Sequence, residues 1–443
     1  MESGDGLLLR VRPRRGRLSL AQLRGLAAAA AAHGNGIIEL TRRASLQIRG
    51  VTSASLPDLQ AELRRIELAE PSLAAEQRPS LLVCPLAGLE PRSAALEPLA
   101  AALEVLLHTP QLVEGLSEKF LVVLSGGSEV FAGIEADLFI ELSPAAPDLA
   151  QLSLAGGSPG PTLLGTCRVR EVARALGQLL GLLGATPGAS KRMRELVAAR
   201  GVLALRTELA PLWLEAEGPL QFGADLDPVW IDEASRFTRF SVPPLGYNAG
   251  LRDWFAFQLA FGSAPAQAWH AIAELAQDFG SGEARLLPGR CVLLPGVRAA
   301  DREQLARRAQ EQHFIVERPA PWLELVACSG APACRSASAE TRALALELAP
   351  LARAQLQRGA TLHVSGCEKG CAWGGAADIT LLHGPDGYKL GFGADVAQTA
   401  RSAALSLSAV RERLSCRSNP GGSDPRGIDP RGIDPRGSEH EAG

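Results

Sequence analysis

The sequence has no excess of either charge. Its 45 Lys and Arg against 48 Asp and Glu leave a formal net charge of -3 over 443 residues. That offers no footprint for a polyanion, so nucleic acid is not an expected partner. Long apolar runs are also missing. The greasiest stretch, LGQLLGLLG from Leu176 to Gly184, is broken by glycines and falls far short of the ~20 residues that span a bilayer. The first residues, MESGDGLLLRVRPRRG, start polar and hold only three consecutive leucines, unlike a signal peptide. A cytoplasmic protein with reduced thiols is expected. Cysteine is scarce: eight in the chain is well below the density of a disulfide scaffold. What remains, 46% hydrophobic and 21% charged, is ordinary globular composition, with length for roughly three domains at about 150 residues each.

Cys84, Cys167, Cys291 and Cys416 stand alone and are expected to be buried small hydrophobes or incidental thiols. The other four form two pairs. Cys328 and Cys334 lie six apart in ACSGAPACRS, and Cys367 and Cys371 lie four apart in HVSGCEKGCAWGG. Zinc sites usually place two residues between paired cysteines. Wider gaps in Gly/Ala/Ser-rich loops, where backbone can approach sulfur, suit a cubane iron-sulfur cluster better.

The chain repeats itself. At a shift of 246, HGNGIIELTRRASLQIRGV (33 to 51) lies over FGSGEARLLPGRCVLLPGV (279 to 297). Each copy follows a helical stretch. The first is expected to start at Ser19 with Gln22 in a capping box and to stop at Gly34; the second is expected to stop at Gly280. Farther along, Ser125 and Gly126 lie over Ser365 and Gly366 at a shift of 240, and Asp137 lies over Asp378 at 241. Only the second half carries the paired cysteines. Between the halves, 190–218 reads as a charged helix, a glycine stop at Gly201 and a second helix. A proline-rich SVPPLG (241 to 246) opens the second half. The three Asp-Pro-Arg-Gly repeats at the end have almost nothing to bury, and a disordered tail is expected there.

These residues carry a resemblance. ELTRRASLQIRGV resembles the threonine-arginine signature of the siroheme-dependent nitrite and sulfite reductases. ACSGAPAC with SGCEKGC resembles their two-pair 4Fe-4S pattern. The resemblance runs from Leu7 to about Leu414 and implies an α+β, internally duplicated nitrite/sulfite reductase-like fold. The implied divisions are ferredoxin-like half-modules at 1–70 and 241–318, larger α/β modules at 78–186 and 319–416, a helical connector at 187–240, and the tail at 417–443. Within that superfamily, CPLAG (84 to 88), the HVSGCEKGCAW frame and the modest length look more like the precorrin-3B synthases, the monooxygenases of cobalamin biosynthesis. Three departures from the reductases agree: Glu368-Lys369 replaces their Pro-Asn, Leu121 stands where they carry an anion-holding lysine, and Pro79 stands where they carry an arginine, with Arg78 one residue early.

The resemblance implies that Cys328, Cys334, Cys367 and Cys371 ligate a 4Fe-4S cluster, and it associates a mononuclear non-haem iron with the family. It implies precorrin-3A as the tetrapyrrole substrate, O2 as the oxidant and NAD(P)H-derived electrons from a reduced donor. Siroheme belongs to the alternative reading, a nitrite or sulfite reductase. The tetrapyrrole bears acetate and propionate arms, which suit arginine forks and lysine. By correspondence Arg42, Gln47 and Lys119 are expected substrate ligands, with Arg49 a lesser candidate and Lys369 either a substrate or cluster contact or a solvated loop residue. Read as one strand, the segment puts Arg43, Gln47 and Arg49 on one side and Arg42 on the other. The basic run Arg10, Arg12, Arg14, Arg15 and Arg17 is expected to be a solvated face, with Arg12 the one that could point inward. His363 and His383 are expected in structural or surface roles, with an iron or substrate contact as the alternative. The repeated Asp137 and Asp378 are expected to cap structure.

Overall fold

The computed structural model describes residues 2–89, 96–126, 131, 134–142, 146–155, 161–186, 191–214, 253–316, 325–352 and 360–417. The proline-rich 241–246 segment and the terminal repeats lie outside them. The described chain divides into two compact units, 1–318 and 319–443.

The first unit holds both copies of the repeat. Ser19 caps the Leu20–His33 helix: its hydroxyl accepts from Gln22 N–H, and Gln22 returns a bond to the Ser19 backbone. The Ala266–Phe279 helix has the same 14-residue length and lies alongside it. Gly34 and Gly280 end the two helices, and close approach explains why both are glycine. A Cβ on Gly34 would stand 2.5 Å from the Arg49 carbonyl, and one on Gly280 would stand 2.8 Å from that of Pro295.

The repeat extends to unusual backbone. Among described residues, seven non-glycines have positive φ, and six of them pair at the shift of 246: Arg15 with Phe261, Ala44 with Arg290, and Glu67 with His313. Such conformations are uncommon outside glycine. Their recurrence through different side chains shows that the duplicated backbone, not the local residue, dictates them.

The copies also exchange strands. Strand Ser263–Pro265 completes the sheet built from Gly6–Val11, Leu46–Val51 and Ile37–Leu40, pairing Ala264 with Ile38. Reciprocally, Arg17–Ser19 completes the sheet of Trp254–Gln258, Cys291–Pro295 and Glu283–Leu287, pairing Leu18 with Ala284. Leu18, Leu23, Leu26, Ile38, Leu46 and Ile48 are fully buried, each contributing about 1.5–3 kcal/mol of hydrophobic stabilisation. A third sheet runs Thr162–Arg168, Leu149–Leu154, Leu138–Leu142, Leu121–Ser125, Ser80–Val83, the last three parallel. The connector contains helices Met193–Arg200 and Val202–Glu208, separated by Gly201 at φ 78.

The second unit is a four-stranded sheet. Leu325–Ala327, Leu362–Ser365 and Ala377–Gly384 are parallel, and Gly387–Ala394 returns antiparallel. Helix Thr341–Leu348 lies between the first two strands in sequence and covers them. The expected caps are present in both units. Asp137 accepts Leu121 N–H at 3.0 Å, and Asp378 accepts Thr361 N–H at 2.8 Å.

Candidate functional site

The four paired cysteines sit on two loops at the carboxyl ends of neighbouring parallel strands, where open α/β sheets usually bind ligands. Cys328 follows Leu325–Ala327, and its N–H reaches the Val364 carbonyl at 3.4 Å. Cys367 follows Leu362–Ser365, with Ser365 Oγ donating to its carbonyl at 2.7 Å. Gly366 N–H points at Cys328 Sγ, 3.4 Å away, and Thr341 Oγ1 donates to the Cys328 carbonyl at 2.7 Å. Two glycines permit this closeness. Gly330 has φ 66, and a Cβ there would stand 2.7 Å from Thr341 N; a Cβ on Gly366 would stand 2.6 Å from Ala337 Cβ.

All four thiols share one electrostatic neighbourhood. Burial pushes the Cys371 thiol up, the nearby sulfurs of Cys367, Cys328 and Cys334 push it further, and Lys369 opposes them. None is in a disulfide. Among the described residues no three His, Cys, Asp or Glu converge tightly enough to hold a single metal ion. Four thiolates around a cubane stand farther apart than four around one ion. Four clustered thiols with a backbone N–H aimed at one sulfur therefore fit a 4Fe-4S group.

Nearby residues take definite places. Lys369 Nζ donates to Ser336 Oγ at 3.0 Å, bridging the two cysteine loops. His363 is fully buried in its strand, in register with Val326 and Thr380. His383 Nδ1 shares a 2.6 Å hydrogen bond with Ser338 and stands edge-on to Tyr388.

In the first unit the structure sorts the arginines by whether their forks are already committed. Arg49, a lesser substrate-ligand candidate, has its fork held within the protein. It is 4% exposed and donates to both carboxylate oxygens of Asp5, to Glu39 and to Ser3. The expected solvated face holds only in part: Arg10 and Arg14 are exposed, whereas Arg15 and Arg17 are half-buried, and Arg14, Arg15 and Arg17 are all tied to acids. Arg14 and Arg15 converge on Glu104, Arg15 also reaches Glu97 at 2.7 Å, and Arg17 pairs with Glu97. Burial works against the charge on Glu104, but the Arg15 and Arg14 forks outweigh it and hold its carboxyl below the ordinary range.

The expected single arginine strand is a hairpin. Ile37–Leu40 and Leu46–Val51 pair antiparallel, with Thr41–Ser45 as the turn. Thr41 N–H bonds the Ser45 carbonyl at 2.8 Å, and Ser45 N–H bonds Thr41 Oγ1 at 3.1 Å. Strand alternation therefore does not apply to Arg42 and Arg43, which lie at the tip. Arg42 is half-buried and Arg43 exposed; Gln47 is half-buried and Lys119 exposed. Arg12 donates to Ser80 Oγ at 2.8 Å and to the Arg78 carbonyl at 3.2 Å. Arg10 lies opposite Gln47 in the sheet. Arg43 is within electrostatic reach of Arg192, Glu135, Asp137 and Arg10.

Arg10, Arg43 and Arg192 are residues the sequence reading did not select. The repeat held a signal for two of them: at the shift of 246, Arg10, Arg12, Arg42, Arg43 and Gln47 become Ala256, Gln258, Pro288, Gly289 and Leu293. The arginines of this set belong to one copy alone.

Cys84 is buried as expected but is not incidental in position. At a shift of 244 it overlies Cys328, and its N–H bonds the Leu124 carbonyl at 2.9 Å in the same manner. Its loop is held by a buried arginine instead of by sulfur. Arg285 donates to the carbonyls of Pro85 and Ala87, each at 2.7 Å. Cys167 is fully buried, as expected, and burial pushes its thiol up to about 12.

A family model described as the nitrite/sulfite reductase ferredoxin-like half domain matches residues 1–66 and again 255–312, the two strand-exchanged copies. Among solved structures, the NirA protein of Mycobacterium tuberculosis superposes with a TM-score of 0.64 at 22% identity, covering 87% of this chain and 73% of that one. The chain is 25% identical over 401 residues to a chloroplastic ferredoxin–nitrite reductase of Zea mays, covering 85% of this chain and 69% of the reductase. It is 31% identical over 395 residues to a precorrin-3B synthase of a Sinorhizobium species, covering 88% of this chain and 80% of that protein. With the fold shared across this group and the identity higher and more complete toward the synthase, the chain belongs to the precorrin-3B synthase family.

Proposed function

We propose that this chain is an oxygen-dependent tetrapyrrole monooxygenase, hydroxylating precorrin-3A at C20 with closure of a γ-lactone by a side-chain acetate. The observation that carries the reading is the 31% identity to a precorrin-3B synthase across 88% of the chain. The site chemistry supports it from two sides. Cys328, Cys334, Cys367 and Cys371 would hold a 4Fe-4S cluster, which when bound passes electrons one at a time from a reduced donor. Arg42, Arg43, Gln47 and Lys119, with Arg10 and Arg12 beside them, would bind the carboxylate arms and fix the orientation of the macrocycle. In overall balance one atom of O2 enters the substrate, the other leaves as water, and the donor supplies two electrons and two protons. For a mononuclear iron the described residues offer no convergent set of three His, Cys, Asp or Glu ligands, and no step is assigned to one.

Arg49 is left out of this set because its fork is filled by Asp5, Glu39 and Ser3. Lys369, held by Ser336, is assigned to the cysteine loops instead of the substrate.

An optical spectrum of the anaerobically purified chain tests the proposal. A broad iron-sulfur shoulder with no Soret band is expected. A strong Soret band, with siroheme extractable into acid acetone, would instead establish the reductase reading.

A further inference from the structure

The repeat provides an internal control for the first unit. Features kept in both copies are scaffold; features confined to one copy need another reason. Asp137 and Asp378 both accept a strand N–H, so that role is scaffold. Asp378 is exposed, whereas Asp137 is 1% exposed and takes three further bonds: Met193 N–H at 2.9 Å and Arg192 Nε at 2.8 and 3.0 Å. A buried carboxylate thus holds one specific arginine by its inner nitrogen. The two terminal nitrogens of Arg192 donate to no described residue.

Arg192 is also placed among like charges. Arg43 feels Arg192 and Arg10, and the acids it feels are exposed Glu135 and the already committed Asp137. Gathering several guanidinium groups in one neighbourhood costs repulsion that scaffold does not require, and a polyanionic ligand would remove that cost. Fixing a fork by its Nε leaves its outer edge oriented for a bidentate carboxylate.

We propose that Arg192 is a further ligand of the substrate carboxylates, with Asp137 as its positioning residue. The proposal rests on the tetrapyrrole reading above and adds a connector residue to it.

The test is binding of an octacarboxylic porphyrin to the full chain by fluorescence quenching, beside the same porphyrin with its arms converted to neutral amides. Arg192→Met is expected to weaken octaacid binding about tenfold, the loss of one charge-assisted contact, and to leave amide binding unchanged. Arg192→Lys keeps a cation for Asp137 but no fork. It is expected to melt like the wild type and bind with intermediate affinity. Wild-type octaacid affinity in both variants overturns the role of Arg192. If the wild-type chain binds the octaacid no better than the amide, the tetrapyrrole reading itself fails, whatever Arg192 does.

Discussion

Substituting Glu104 by Gln removes one charge and almost no volume from the joint that anchors the N-terminal arginines. Glu104 is 8% exposed and takes four hydrogen bonds, two from Arg14 and two from Arg15, between 2.6 and 3.2 Å. The Arg14 side chain is 76% exposed, so its pair contributes at most about 1 kcal/mol. The Arg15 side chain is only 16% exposed. Removing one partner of a fully buried pair costs about 3–5 kcal/mol, but Arg15 keeps Glu97, so about 2 kcal/mol in all is the reasoned loss. At about 2–4 °C per kcal/mol for a unit of this size, thermal melting of the full chain should fall by about 4–8 °C. Adding Arg15→Met to Glu104→Gln should cost less than the sum of the two single changes, because the uncompensated cation leaves with its partner. The pH dependence has a definite sign. The folded carboxyl sits below its unfolded value, so its contribution is complete above the ordinary value of about 4.3 and is lost as pH falls through the depressed one. The melting difference between wild type and variant should therefore hold from neutral pH down to about 5 and close in stronger acid. A variant that melts within about 1 °C of wild type at pH 7, or a gap that persists unchanged in acid, would refute the reasoning.

Other outcomes follow from the same geometry. Cys371→Ser should abolish the cluster, read as iron and acid-labile sulfide per chain, and normal iron content would disprove the ligand assignment. Gly330→Ala forces a Cβ to within 2.7 Å of Thr341 N at a φ of 66, so cluster loading should drop while the melting of the first unit is unchanged; full loading would show that the loop can yield. Arg49→Met should destabilise the chain by about 3 kcal/mol because it strands Asp5 and Glu39, yet leave tetrapyrrole affinity intact, and weakened affinity without loss of stability would restore Arg49 as a ligand. Arg43→Ala should weaken tetrapyrrole binding with iron content unaltered, and an unchanged dissociation constant would remove the hairpin tip from the binding surface.

The residue pattern alone was enough for the duplication, the helix caps at Ser19, Gly34 and Gly201, the aspartate caps, and the grouping of four cysteines. Each of these rests on local chemistry: a hydroxyl three residues from a glutamine, a glycine where a carbonyl comes close, thiols spaced for a polynuclear centre. Arginine assignments could not be read the same way, because an arginine's role depends on which carboxylate happens to face it. Arg49 and Arg43 look alike in sequence. One meets Glu39 from the adjacent strand and Asp5 from the turn before Gly6–Val11, and the other sits at a hairpin tip with no hydrogen-bond partner for its fork among the described residues. The turn at Thr41–Ser45 was hidden because Thr41 makes its hydrogen bonds across four residues, where a strand reading expects alternation. The pairing of Glu104 with Arg14 and Arg15, the exchange of strands between the copies, and the Asp137–Arg192 contact join residues tens to hundreds of positions apart. Only the tertiary structure could decide them, since such partners are selected by the packing of whole elements and leave no periodic trace in the chain.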